Sequence, residues 1–213
     1  MTKSSFAVAG GARGFLRNKG FLGALLILGF AYVTYFCFVG GDPWLETNTA
    51  SMIGVRHPAQ FFLWLLLTGA VFFFNNRAMY ENYRCPNRLG RALAWAALFA
   101  FPVVFLVNGQ IVNGEVVLEG LRKVIHWSAT GAFIACNALA ILLVFLYARR
   151  QARRFNFLCA GVIAVVVGML AILLTVGKSA LFEAVPIWAA YIMLFLVNCT
   201  GLFPPLPSPS VPQ

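Results

Sequence analysis

Charge is scarce in this chain of 213 residues: Asp, Glu, Lys and Arg together make up 10%, and the acidic residues number 6. Soluble globular chains carry about 25% charged residues, so a surface this poor in charge cannot face water over most of its area. Histidine is nearly absent, with 2 residues, and the 5 cysteines form no C-x-x-C. Neither H-x-x-x-H nor H-E-x-x-H occurs, so no local spacing announces a metal or a dithiol. These absences exclude a disulfide scaffold, a disordered chain and a nucleic-acid module as descriptions of the whole. The 16 Lys and Arg against 6 Asp and Glu, net +10, would suggest nucleic acid in a soluble protein. In a membrane protein the same excess first reports topology.

What is present is apolar: 61% hydrophobic residues, 21 Phe and a mean hydropathy of +0.84. A bilayer core of ~30 Å needs about 20 mostly apolar residues in a helix. Six segments meet that template: Phe21 to Val39, His57 to Phe74, Arg91 to Val107, His126 to Tyr147, Phe157 to Val176 and Leu181 to Phe203. The expected fold is an all-α integral membrane protein of six transmembrane helices, with residues 1–20 a basic segment, 21–203 the helical domain and 204–213 a Pro-rich tail. The first apolar run is longer than the core of a signal peptide and no A-x-A-like site follows it, so it is expected to stay as a helix.

The basic residues sort by side. Lys3, Arg13, Arg17 and Lys19 precede the first span; Arg77, Arg84, Arg88 and Arg91 lie between the second and third; Arg149, Arg150, Arg153 and Arg154 lie between the fourth and fifth. Only Arg56, Arg122, Lys123 and Lys178 fall on the other side, which predicts cytoplasmic N- and C-termini. Of the acids, only Glu81 is expected on the cytoplasmic side. In the second outer connection, Asn113-Gly114 between Gln110-Ile111-Val112 and Glu115-Val116-Val117 predicts a small β-hairpin.

The polar residues that could carry chemistry gather at the outer rim. His57 and His126 open the second and fourth spans, with Asp42, Glu46, Arg56, Arg122, Lys123 and Glu183 nearby. Ionisable groups at the membrane boundary are functional candidates by default, Glu183 above all, because it lies just inside an apolar span. His57, His126 and Glu183 could supply three zinc ligands and leave a fourth position for water, with Asp42 or Glu46 in support. Two facing histidines could alternatively hold a haem, although both lie at the rim rather than in the sheltered interior. The plainer reading makes His57 a helix-opening residue before Pro58 and His126-Trp127 an interfacial anchor.

Within the membrane, Ser128, Ala132, Cys136 and Ala140 recur every four residues, a pattern that lets a second helix approach closely, and Asn137 flanks it as hydrogen-bonding glue. Thr68, Thr175 and Asn198 are the expected partners of Asn137. Cys85, Cys159 and Cys199 lie where palmitoylation would reach them by position. The spans contain too few polar residues for a wide aqueous pore.

The run Pro43-Trp44, Asn48-Thr49-Ala50-Ser51-Met52-Ile53-Gly54 and His57-Pro58 resembles the first outer loop of six-helix proteins of the damage-regulated autophagy modulator (DRAM)-like class and related bacterial six-helix families. His126 at the opening of the fourth span and Glu183 near the start of the sixth match the same pattern, whereas the chain has no outer cysteine pair. The likeness covers the whole chain in topology and about a dozen residues in motif. It implies a small integral membrane protein associated with lipids or other membrane proteins. The leading expectation is therefore a non-enzymatic, lipid-interacting or accessory component of a membrane assembly, with no cofactor. Its expected partners are membrane lipids and other membrane proteins, reached through the helix faces or the Pro-rich tail, and not nucleic acid. The alternatives are a metal-dependent or lipid-modifying enzyme on the outer face and a small-solute transporter; the latter would depend on Asn137 or Glu183.

Overall fold

A computed structural model describes residues 18–46, 48–113, 115–175 and 177–204. Most of the basic N-terminal segment and of the Pro-rich tail lie outside these residues. Among the described residues seven helices and two short strands follow one another: α1 (Lys19–Val39), α2 (Ala50–Arg56), α3 (Pro58–Asn82), α4 (Arg88–Leu106), β1 (Gln110–Val112), β2 (Glu115–Val117), α5 (Gly120–Ala148), α6 (Phe155–Thr175) and α7 (Ala180–Asn198). All except α2 are long and apolar enough to cross a membrane, the arrangement of a multi-pass membrane protein. The helices start where the spans were expected within a few residues. α3 and α5 run further because their polar ends stay helical beyond the apolar run that defines a span.

Local chemistry fixes the ends. Asn18, Thr49, Asn87 and Ser179 each cap a helix by accepting an amide hydrogen three residues on, at 3.2, 3.3, 3.1 and 3.3 Å. His57 is the hinge between α2 and α3: its amide donates to Ile53 O at 2.7 Å and its carbonyl accepts from Phe61 N at 3.0 Å. Pro58 then occupies the first turn of α3, where its missing N–H costs nothing. Gly54 makes this corner fit, since a Cβ there would lie 2.5 Å from Cγ of Phe61.

Six long helices alternate in direction, so α2 and the β1–β2 ribbon share one end of the bundle, called here the ribbon end. β1 and β2 pair antiparallel with Ile111 opposite Val116. The short loops α3–α4 and α5–α6, carrying Arg84, Arg149, Arg150, Arg153 and Arg154, lie at the opposite end. α3 is the hub, packing against α1, α4, α5 and α7, and its Phe61, Leu65, Val71, Phe72 and Met79 are buried. α6 is peripheral. Its buried residues, Phe155, Leu158 and Cys159, all fall near its start at the opposite end, and the rest of the helix is half-buried or exposed.

Candidate functional site

Glu183 lies in the first turn of α7, which Ser179 caps. Its Oε2 accepts a hydrogen bond from Ala50 N at 2.6 Å, and its Oε1 pairs with Lys178 Nζ at 3.1 Å. Ala50 N is one of the first amides of α2, which have no partner within their own helix. Glu183 thus closes the start of α2 from a different helix, and the neighbouring Leu181 N donates to Pro43 O at 3.2 Å in the same seam. Asp42 is likewise engaged locally, its Oδ1 accepting from Trp44 N at 3.0 Å. Two of the acids singled out from the sequence are therefore bonded within the fold.

His126 is 4% exposed, and its Nδ1 is buried without a hydrogen-bond partner. The carbonyls of Val104 and Val107 lie near the ring, but neither reaches hydrogen-bond geometry with Nδ1. The ring lines a slot with room for about 50 Å³, walled by Phe61, Trp64, Phe101 and Phe133 and edged by Ser51 and Glu183. His57 is not in that lining; it stands half-buried at the α2–α3 corner. Among the described residues no three of His, Cys, Asp and Glu converge closely enough to hold a metal ion. His57, His126 and Glu183 do not form such a group: His126 and Glu183 line the slot, and His57, whose backbone turns the α2–α3 corner, does not.

Beside the slot, at the ribbon end, opens a cleft of about 610 Å³ between α2, the ribbon and the start of α5. Glu46, Glu115, Glu119, Lys123, Trp127 and Lys178 line it. Two ammonium groups share one indole: Lys178 Nζ is 4.9 Å and Lys123 Nζ 5.5 Å from the Trp127 ring centre. Each such contact is worth ~0.5–1 kcal/mol at an exposed site, so Trp127 holds two positive charges at one wall of the cleft. Glu46, Glu115 and Glu119 make no ion pair among the described residues. The cleft therefore presents both signs of charge.

The helix-packing stripe needs correction. Asn137 and Ala140 are buried and Cys136 half-buried, but Ser128 and Ala132 are exposed. A step of four residues advances about 40° beyond one full turn, so a line drawn every four residues slides off the packed face after two or three steps. The buried face of α5 instead runs His126, Ala129, Phe133, Asn137, Ala140, Ile141 and Val144, mixing steps of three and four so that it stays on one side of the helix. Asn137 Oδ1 accepts from Asn76 Nδ2 at 3.0 Å, and its own Nδ2 donates to Phe133 O at 3.0 Å. None of the expected partners is used. Asn198 Nδ2 bonds Asn75 O and Oδ1 at 3.0 and 3.1 Å, Thr175 bonds its own helix, and Thr68 Oγ1 is buried with no partner.

Cys85 is completely buried and Cys159 8% exposed, so neither thiol is presented for acylation; Cys199 is half-buried. Sequence reasoning passed over the pair Asn75 and Asn76 and the Trp127 clamp, and it put Glu115 and Glu119 on the outer side without giving them a role. The i, i+4 spacing of Lys123 and Trp127 was there to be read; the arrival of Lys178 from another loop was not. No protein-family model, curated protein or solved structure matches this chain.

Proposed function

We propose that the protein is a non-enzymatic integral membrane component that engages membrane lipids at the ribbon end, the headgroup lying in the 610 Å³ cleft. The observation that carries this reading is the wall of the cleft, where Lys123 and Lys178, near the starts of α5 and α7, are both held over Trp127. Cations fixed beside an interfacial aromatic suit a phosphate, and the size of the cleft falls in the range of ~300–1,000 Å³ typical of small-ligand sites. The positive-inside pattern supports an outward-facing ribbon end, since the arginine-rich loops are all at the other end.

The enzyme alternative loses its support where its residues are otherwise engaged. Glu183 is bonded to Ala50 N and Lys178, and His57 stands apart from His126. The lipid-associated class implied by the sequence resemblance is in line with the same reading. The test is extraction of the whole protein into mild detergent, lipid analysis of the purified sample, and incubation with labelled phospholipids. Lipid retained by the wild type and depleted in Lys123→Ala/Lys178→Ala, with no turnover, is the expected result. Turnover of the labelled lipid would overturn the non-enzymatic reading.

A further inference from the structure

We infer that the bundle holds one phospholipid with a primary ammonium in its headgroup, along a continuous path from the cleft, past His126, into an apolar groove between α5, α6 and α7. This rests on the lipid-binding reading above and names the lipid and its seat. Three cavities share walls. Ser51 lines both the cleft and the His126 slot, and Ile134 lines both the slot and a groove of about 100 Å³. Ile141 of α5, Val162 and Met169 of α6, and Pro186 and Met193 of α7 complete that groove, and every side chain in it is apolar. Polarity thus falls along the path: charged cleft, a slot with one imidazole and the engaged carboxylate of Glu183, hydrocarbon wall.

The groove exists because α5 and α7 make few direct contacts and α6, which bridges them, is buried only at its far end. Distances along α5 fit the molecule. From Lys123 to His126 is ~4.5 Å, about one turn, which puts the imidazole one step below a phosphate held at Lys123. From Lys123 to Ile134, where the groove begins, is ~16 Å, within reach of an extended acyl chain.

Each polar part of the lipid meets a complementary group, Lys123 free of any ion pair among the described residues and Lys178 shared with Glu183 at 3.1 Å. The phosphate meets the ammonium groups of Lys123 and Lys178. A primary ammonium donates to the carboxylates of Glu46, Glu115 and Glu119, which make no ion pair among the described residues. Buried polar atoms are normally satisfied, and His126 Nδ1 is not. At about 50 Å³ the slot is too small for a headgroup but takes an ester oxygen with its neighbouring atoms.

The experiment is competition at equal amounts between phosphatidylethanolamine, phosphatidylcholine and phosphatidylglycerol, read by native mass spectrometry of the full chain in detergent. The wild type is expected to retain one phosphatidylethanolamine with a preference of ~10-fold, the equivalent of one or two charge-assisted hydrogen bonds. Ile134→Trp, at a position 40% exposed and so tolerant of size, fills the junction between slot and groove. His126→Leu removes the ring nitrogen. Both are expected to lower retention ~10-fold without changing thermal unfolding of the lipid-free protein. Equal retention of the three lipids overturns the headgroup assignment. Undiminished phosphatidylethanolamine in Ile134→Trp overturns the path and leaves the cleft standing. A wild type that retains no lipid overturns both the path and the lipid-binding reading.

Discussion

Gly90 in the first turn of α4 lies against Tyr80 of α3, and replacing it tests the packing of three helices at once. A methyl group at Gly90 would overlap the Tyr80 hydroxyl and come within 2.6 Å of its Cζ. Tyr80 cannot retreat freely, being 2% exposed and donating a hydrogen bond to Ala140 O on α5 at 2.8 Å. Forcing one carbon into a filled core costs ~1–3 kcal/mol. Displacing the hydroxyl from its acceptor adds ~1–2 kcal/mol, since the group stays buried. The helical preference of Ala over Gly returns ~1 kcal/mol, so Gly90→Ala is expected to destabilise by ~1–4 kcal/mol. The assay is reversible unfolding in mixed detergent followed by circular dichroism, for wild type, Gly90→Ala, Tyr80→Phe and the double variant. Tyr80→Phe alone is expected to cost ~1 kcal/mol, the net value of one hydrogen bond. In its background Gly90→Ala should cost less, leaving a coupling of ~1–2 kcal/mol between neighbouring sites. A Gly90→Ala effect below ~0.5 kcal/mol, or strict additivity in the cycle, would refute the reasoning.

Other expectations follow from the same contacts. Asn76→Leu and Asn137→Leu should show a coupling energy of ~0.6–1.7 kcal/mol in a double-mutant cycle, and uncoupled effects would mean that the 3.0 Å bond between them is not formed. Glu183→Gln keeps an acceptor for Ala50 N and loses only the pair with Lys178, whereas Glu183→Ala loses both. Thermal unfolding should therefore rank wild type above Glu183→Gln above Glu183→Ala, and equal losses would count against the amide bond. Burial raises the Cys85 thiol above its ordinary value, with Asn87 and Arg91 opposing. Folding favours the protonated form, so this contribution is complete below the unfolded value of ~8.5 and is lost as pH rises above it. Stability should fall between pH 8 and 10 less steeply in Cys85→Ala than in wild type, and a maleimide at pH 8 should leave Cys85 unmodified until the protein is unfolded.

The number and extent of the long helices could be read from the sequence because span length and apolarity are one-dimensional properties. What could not be read was azimuth. Asn137 was correctly placed deep in its helix, but its partner depended on which way neighbouring helices are turned. Asn75 and Asn76, adjacent in sequence, project about 100° apart, and so one bonds Asn198 on α7 and the other Asn137 on α5. The stripe through Ser128 and Ala132 failed for the same reason. The sequence placed His57, His126 and Glu183 near helix starts at one end, but the bonds that occupy Glu183 come from Ala50 and Lys178, each across a loop whose path the sequence does not specify. The Trp127 clamp needed Lys178 from such a loop, so only its Lys123 half was visible.

The packing of α6 has a mechanical consequence. With 21 residues the helix is ~31 Å long, and its buried residues lie within the first two turns. A rod clamped at one end multiplies angle into distance: a tilt of ~10° about Phe155 would carry the Thr175 end through ~5 Å, for a rise of 1.5 Å per residue. Nothing among the described residues braces that end as firmly as Phe155 and Leu158 brace the start. The space between α5, α6 and α7 is therefore the part of the bundle whose width the least motion of one helix would change.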